Sequence, residues 1–116
     1  MKPVPGHIAM VALPFTDLSG SKRRPVVVVG AAPTGNSDWL VCMVSSKLQH
    51  RHAAVDELIE PAAPDFPSSG LVAASLVRVG RLAIIEESLL LGAIGSIGAD
   101  RMNRIREKLK NWINSI

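Results

Sequence analysis

Pro25 opens a run of four valines, Val26 to Val29, and Gly30 closes it. β-branched residues are stiff at χ1 and favour the pleated, half-buried surface of a sheet. A run this short and continuously apolar suits a strand covered on both faces rather than a helix. It therefore demands neighbours on two sides. The flanking segments supply them: His7 to Leu13 alternates loosely, and Trp39 to Ser45 is again apolar. Both read as strands. Between them lie polar and turn-forming stretches, residues 14–24 and Gly30 to Asp38.

The same pattern continues toward the C-terminus. Ala54 to Leu58 reads as a short strand. Glu60 to Gly70, with Pro61, Pro64 and Pro67, reads as a loop. Leu71 to Val79 and Leu82 to Ile85 read as strands, with Gly80 between them marking a bulge or bend. Glu86 to Leu91 fits one helical turn and Gly92 to Ile97 a closing strand. Met102, Ile105, Leu109, Trp112, Ile113 and Ile116 then recur at helical spacing, with Arg101, Arg104, Lys108 and Lys110 elsewhere on the wheel and Asp100 as N-cap. Short strands ended by one helix predict a mostly β chain, a small antiparallel barrel with a C-terminal helix. At 116 residues it fits one domain, 1–116.

Hydrophobic residues make up 47% of the chain, more apolar surface than so small a domain hides easily, so a homodimer or a bound partner is expected. No apolar run approaches a membrane span, and the N-terminus lacks a signal-peptide core, which predicts a cytoplasmic protein with no membrane partner. The lone Cys42 lies in an apolar run and reads as a buried small hydrophobe. No nucleotide-binding loop, zinc signature or nucleophile elbow occurs.

Charge placement says more than the net charge of +3. Lys22, Arg23 and Arg24 are consecutive and abut the Pro25 strand. Loop cations are ordinarily just solvated. An arginine at a strand end, with its backbone fixed by the following proline, is better held, and its planar fork suits phosphate. Ser19, Gly20 and Ser21 permit close backbone approach. Ser45, Ser46 and Lys47, ending the next strand, bring hydroxyls and a cation near the arginines if the two strands pair. His50 and His52, at i and i+2, would share one face of a strand, as a metal pair or as acid-base groups, although histidines in such a polar stretch are more often solvated loop residues. Nothing else at metal-ligand spacing accompanies them, so no metal site is assigned. With aromatics at 3%, a stacking platform for bases is disfavoured, and a site built on phosphate contacts is favoured. Phe15 and Trp39 sit where one base could stack, although core packing suits them equally.

The stretch G-H-I-x-x-V-x-L-P-F-T-D-L-S-G-S-K-R-R-P-V-V-V-V, Gly6 to Val29, resembles the opening of MazF/PemK-type toxins. V-S-S-K one strand later, GLVAASLVRVGRL from Gly70 to Leu82, and a terminal helix after a Gly-rich segment are similar too. The resemblance implies an SH3-like antiparallel barrel with a C-terminal helix, the MazF/PemK/CcdB-like toxin fold, acting as a homodimer. It implies a sequence-specific endoribonuclease that cuts single-stranded RNA, usually mRNA, without metal or other cofactor. The RNA's 2′-hydroxyl attacks, leaving a 2′,3′-cyclic phosphate and a 5′-hydroxyl. A cognate antitoxin inhibits it, and the complex of the two is expected to bind DNA. By position, the family's catalytic arginine falls on Arg24 and its catalytic Ser/Thr on Ser45. The loop Thr16 to Arg23 covers the site, with Phe15, Thr16, Ser19, Gly20, Ser21, Lys22, Arg23, Ser46 and Lys47 as RNA contacts and His50 and His52 as candidate acid-base groups. His7 stands where the family often has Asp, and a serine where many members have threonine. Two other readings are a gyrase-poisoning toxin on the same fold, docking through the end of the helix, and a non-catalytic RNA-binding barrel.

Overall fold

The computed structural model describes residues 2–13 and 22–116. Phe15, Thr16, Ser19, Gly20 and Ser21 lie outside the described residues, and of Lys22 only the strand position is described. Six strands form: β1 (His7–Leu13), β2 (Lys22–Ala31), β3 (Asp38–Ser45), β4 (Glu57–Ile59), β5 (Ser75–Glu86) and β6 (Leu90–Ser96). Two helices join them, α1 (Phe66–Ser69) and α2 (Ala99–Ser115). The strands make one sheet in the order β4-β5-β3-β2-β1-β6, antiparallel at every pairing. The mostly β class and the C-terminal helix are as expected. The sheet is not closed into a barrel: among the described residues β4 and β6 remain its two edges.

The valine run explains the layering. Successive side chains on a strand point to opposite faces. Val27 and Val29 join Ile8, Cys42, Val44, Val77 and Val79 under Met102, Ile105 and Leu109 of α2. Val26 and Val28 face the other way, into a second core with Ala9, Val11, Trp39, Val41, Ile85 and Leu90. Val26, Val27 and Val28 are all fully buried, and burial of each contributes roughly 1.5–3 kcal/mol. Cys42 is buried as well, and burial pushes its thiol pKa up to about 12.

Several boundaries differ from the sequence reading. The short strand after residue 54 is displaced to Glu57–Ile59, and the proline-rich loop contains a single helical turn, α1. That turn packs so tightly on β6 that a Cβ at Gly95 would overlap the main chain of Ser68 and Ser69. Asp100 is not the N-cap of α2. Gly98 occupies that place, and Asp100 lies in the first turn. Arg101, read as a polar-face residue, is 6% exposed. Ile113 and Ile116, read as part of the buried stripe, are exposed. Leu48–His50 is a 3-10 turn, so His50 and His52 do not share a strand face.

Two segments read as separate strands around Gly80 are one strand, β5, interrupted by the expected bulge. Cys42 pairs with Leu82 and Met43 with Arg78, so one step along β3 spans four along β5. Val79, Gly80 and Arg81 fall outside that pairing. This irregularity sets the geometry of the site.

Candidate functional site

β2 pairs with β3 through Val26 opposite Met43. Continuing that register by two residues sets Arg24 across from Ser45. Met43 in turn lies opposite Arg78 of β5. By strand alternation Arg24, Met43, Ser45 and Arg78 share the face of the second core, near one end of the sheet. There a groove of about 460 Å³ opens, bounded by Arg24, Ser45, Lys47, His50, Arg78 and Arg81 over a floor of Met43 and Val44.

The groove is strongly cationic. No carboxylate among the described residues lines it. Low-dielectric walls lined by one sign of charge focus the field and concentrate counter-ions. Arg78 is half-buried, and its Nε is buried with no hydrogen-bond acceptor among the described residues. A buried donor without a partner is costly to keep. The Ser45 hydroxyl accepts a hydrogen bond from the backbone N–H of Lys47 at 3.1 Å. That contact fixes Oγ and leaves its proton free to donate.

Of the residues singled out in the sequence, the fold gathers Arg24, Ser45, Lys47 and His50 in this groove. Arg23 precedes Arg24 on the strand and so points to the opposite face; neither it nor Ser46 lines the groove. His52 lines the adjoining cavity with His50, Arg51, Arg78 and Arg81. Trp39 is core: it is 7% exposed, and its Nε1 donates to Glu87 Oε1 at 3.2 Å. His7 accepts the backbone N–H of Val4 at 3.3 Å through Nδ1, a local turn contact. Among the described residues no group of three His, Cys, Asp or Glu side chains is arranged to hold a metal ion.

The sequence reading missed Arg78 and Arg81. Three residues apart on a regular strand, they would face opposite ways; the bulge turns both into the groove. The signal was present in Gly80, because bulges re-aim side chains and cluster beside active sites.

A second charged cluster lies behind the sheet. Glu57 of β4 accepts from Arg101 at 3.2 Å, Arg104 at 3.0 Å and Lys108 at 2.6 Å, all on α2. Arg101 also grips Asp65 at 2.7 Å. Burial pushes the Glu57 carboxyl pKa up, but the hydrogen bonds and charges of Lys108 and Arg104 outweigh it and hold the group below its ordinary value. Asp65 is likewise lowered, burial opposing and the Arg101 and Gly98 hydrogen bonds prevailing. These cations are satisfied within the chain.

Comparison with known proteins supplies the family. No curated protein sequence is similar enough to match the chain. Solved structures that share its fold over nearly the whole length include the following three. Mycobacterium tuberculosis toxin MazF-mt6 is 18% identical, with 93% of this chain and 96% of that one covered and a TM-score of 0.69. An endoribonuclease in complex with its cognate antitoxin, from a mycobacterial species, is 13% identical, with 97% and 96% covered and a TM-score of 0.70. The MazE-MazF complex of Deinococcus radiodurans gives 21% identity, 97% and 96% coverage, and a TM-score of 0.68. The sequence profile of the PemK-like, MazF-like toxins matches residues 5–113. With that match spanning almost the entire chain, this protein belongs to the PemK-like, MazF-like toxin family of type II toxin-antitoxin systems.

Proposed function

We propose that this toxin is a metal-independent endoribonuclease that cuts single-stranded RNA at a chosen sequence, mRNA above all. The observation that carries the reading is that Arg24 and Ser45 line the same groove together with further cations. In-line attack by a ribose 2′-hydroxyl on the adjacent phosphodiester builds negative charge on the phosphorane oxygens. A guanidinium on the groove wall neutralises that charge, an effect worth roughly 10³ or more in rate by analogy with other phosphate-clamping arginines. Ser45, its oxygen already accepting from Lys47, donates its proton to a non-bridging oxygen or positions the 2′-hydroxyl.

The products are a 2′,3′-cyclic phosphate and a 5′-hydroxyl end. His50, on the groove wall beside Ser45, is the better placed of the two histidines to move a proton; His52 lies one cavity further on. General acid-base help of this kind contributes about 10²–10⁴. Lys47 tracks a neighbouring phosphate. The protein works as a cytoplasmic homodimer and is neutralised by a cognate antitoxin, a partner suggested by the antitoxin complexes among the similar structures.

The gyrase-poisoning alternative draws on Ile113 and Ile116, which are exposed at the end of α2. It leaves the cationic groove without a task. The deciding experiment incubates purified protein with RNA in chelator and maps the ends. Cyclic phosphate ends formed by the wild type and not by Arg24→Ala are expected. Cleavage by Arg24→Ala at the wild-type rate overturns the assignment, and DNA breaks with intact RNA in expressing cells favour the alternative.

A further inference from the structure

The groove does not stop at His50. Arg78 and Arg81 line it, line the adjoining cavity of about 360 Å³, and line a third of about 300 Å³ beyond. His50 belongs to the first two, His52 to the last two. These spaces adjoin at Arg78 and Arg81, beside the β5 bulge, and the last of them reaches α2 at Trp112. Trp112 is half-buried, so part of its indole remains open to that end. The only carboxylate among the lining residues of the far cavity is Asp56. It is 3% exposed, and its Oδ2 accepts the backbone N–H of His52 at 2.9 Å, which engages it within the chain.

We propose that this arm is a subsite for a nucleotide flanking the scissile phosphate, its own phosphate held by Arg78 and Arg81 and its base lying against Trp112. The inference rests on the reading of the Arg24–Ser45 groove as an RNA site and extends it. Arginine suits both faces of the task, since its fork meets phosphate oxygens and its plane packs on bases. An aromatic at the end of a basic channel is the usual arrangement for holding an unpaired base, because every base has a face to stack.

The test uses the full chain and a mixed-sequence single-stranded RNA whose riboses are 2′-O-methylated, so that it binds without being cut. Affinity is measured across a salt series while tryptophan fluorescence is recorded. Arg81→Gln, at an exposed position, is expected to weaken binding about tenfold and to flatten the log–log salt slope by about 0.7, the value for one phosphate contact on a single strand. Trp112→Phe, which keeps an aromatic face, is expected to weaken binding no more than a few-fold and to abolish most of the fluorescence quenching. If Trp112→Phe does not fold, Arg81→Gln carries the test alone. Wild-type affinity and slope in Arg81→Gln overturn the subsite, while Arg24-dependent cleavage of unmodified RNA would still stand. Wild-type protein that binds the probe but never cuts unmodified RNA overturns the ribonuclease reading and leaves the subsite intact. Failure of the wild type to bind the probe overturns both.

Discussion

Two clusters of cations sit on opposite sides of this sheet and meet opposite fates. Behind it, Arg101, Arg104 and Lys108 converge on Glu57, and Arg101 also holds Asp65. In front, Arg24, Lys47, Arg78 and Arg81 face a groove with no carboxylate among its described lining residues. The residue types are the same. What differs is whether the fold brings acids to them. The rear cluster clamps the terminal helix to an edge strand of only three residues. Among the described residues the front cluster meets no carboxylate, which leaves its charge turned toward the groove.

That contrast can be broken by exchanging the expected effects. The largest belongs to Arg24→Ala, which should lower RNA cleavage by 10³ or more while the thermal midpoint barely moves; a gel assay paired with a melting curve reads both. Glu57→Ala should do the reverse. It strands the buried Arg101 with one acid instead of two, and leaves Arg104 without its carboxylate and Lys108 with only the Asp56 carbonyl, costing about 3–5 kcal/mol in urea unfolding, with cleavage per folded molecule retained. A smaller effect is the acid limb of stability. Glu57 and Asp65 titrate below their ordinary values of 4.5 and 3.8, so the folded chain binds fewer protons than the unfolded one. Their contribution is full above those values and is lost as pH falls through the lower folded ones. Glu57→Gln should flatten that decline. The smallest is Lys47→Ala, expected to reduce the salt slope of RNA binding by about 0.7. A flattened slope in an Arg104 variant would erase the distinction between the two clusters.

Much of the frame was legible because it is local. The β-branched run, its flanking alternations and the 3.6-residue period of α2 each declare themselves within a dozen residues. Arg24 and Ser45 were singled out by resemblance to the family, and the antiparallel hairpin of β2 and β3 brings both to one groove. Arg101 could not be read correctly, since its partners Glu57 and Asp65 lie 44 and 36 residues away. A helical wheel knows only that the residue is charged, and tertiary pairing buried it. Arg78 and Arg81 were hidden for a related reason. Their spacing argues for opposite faces unless the register slip is known, and Gly80 showed that a bend existed without showing where it aimed. For the histidines only the shared strand face failed, because i, i+2 spacing has that meaning only on a strand and a 3-10 turn replaced it, while His50 still lines the groove.

The slip between Cys42 and Met43 has a consequence for anyone seeking to improve this molecule. An idealised version of β5 would delete the surplus residues, restore an unbroken ladder to its neighbour and gain in rigidity. The same edit would discard Arg81 and leave Arg78 without its companion. Here the defect in the ladder and the wall of the groove are one object, and smoothing the first erases the second.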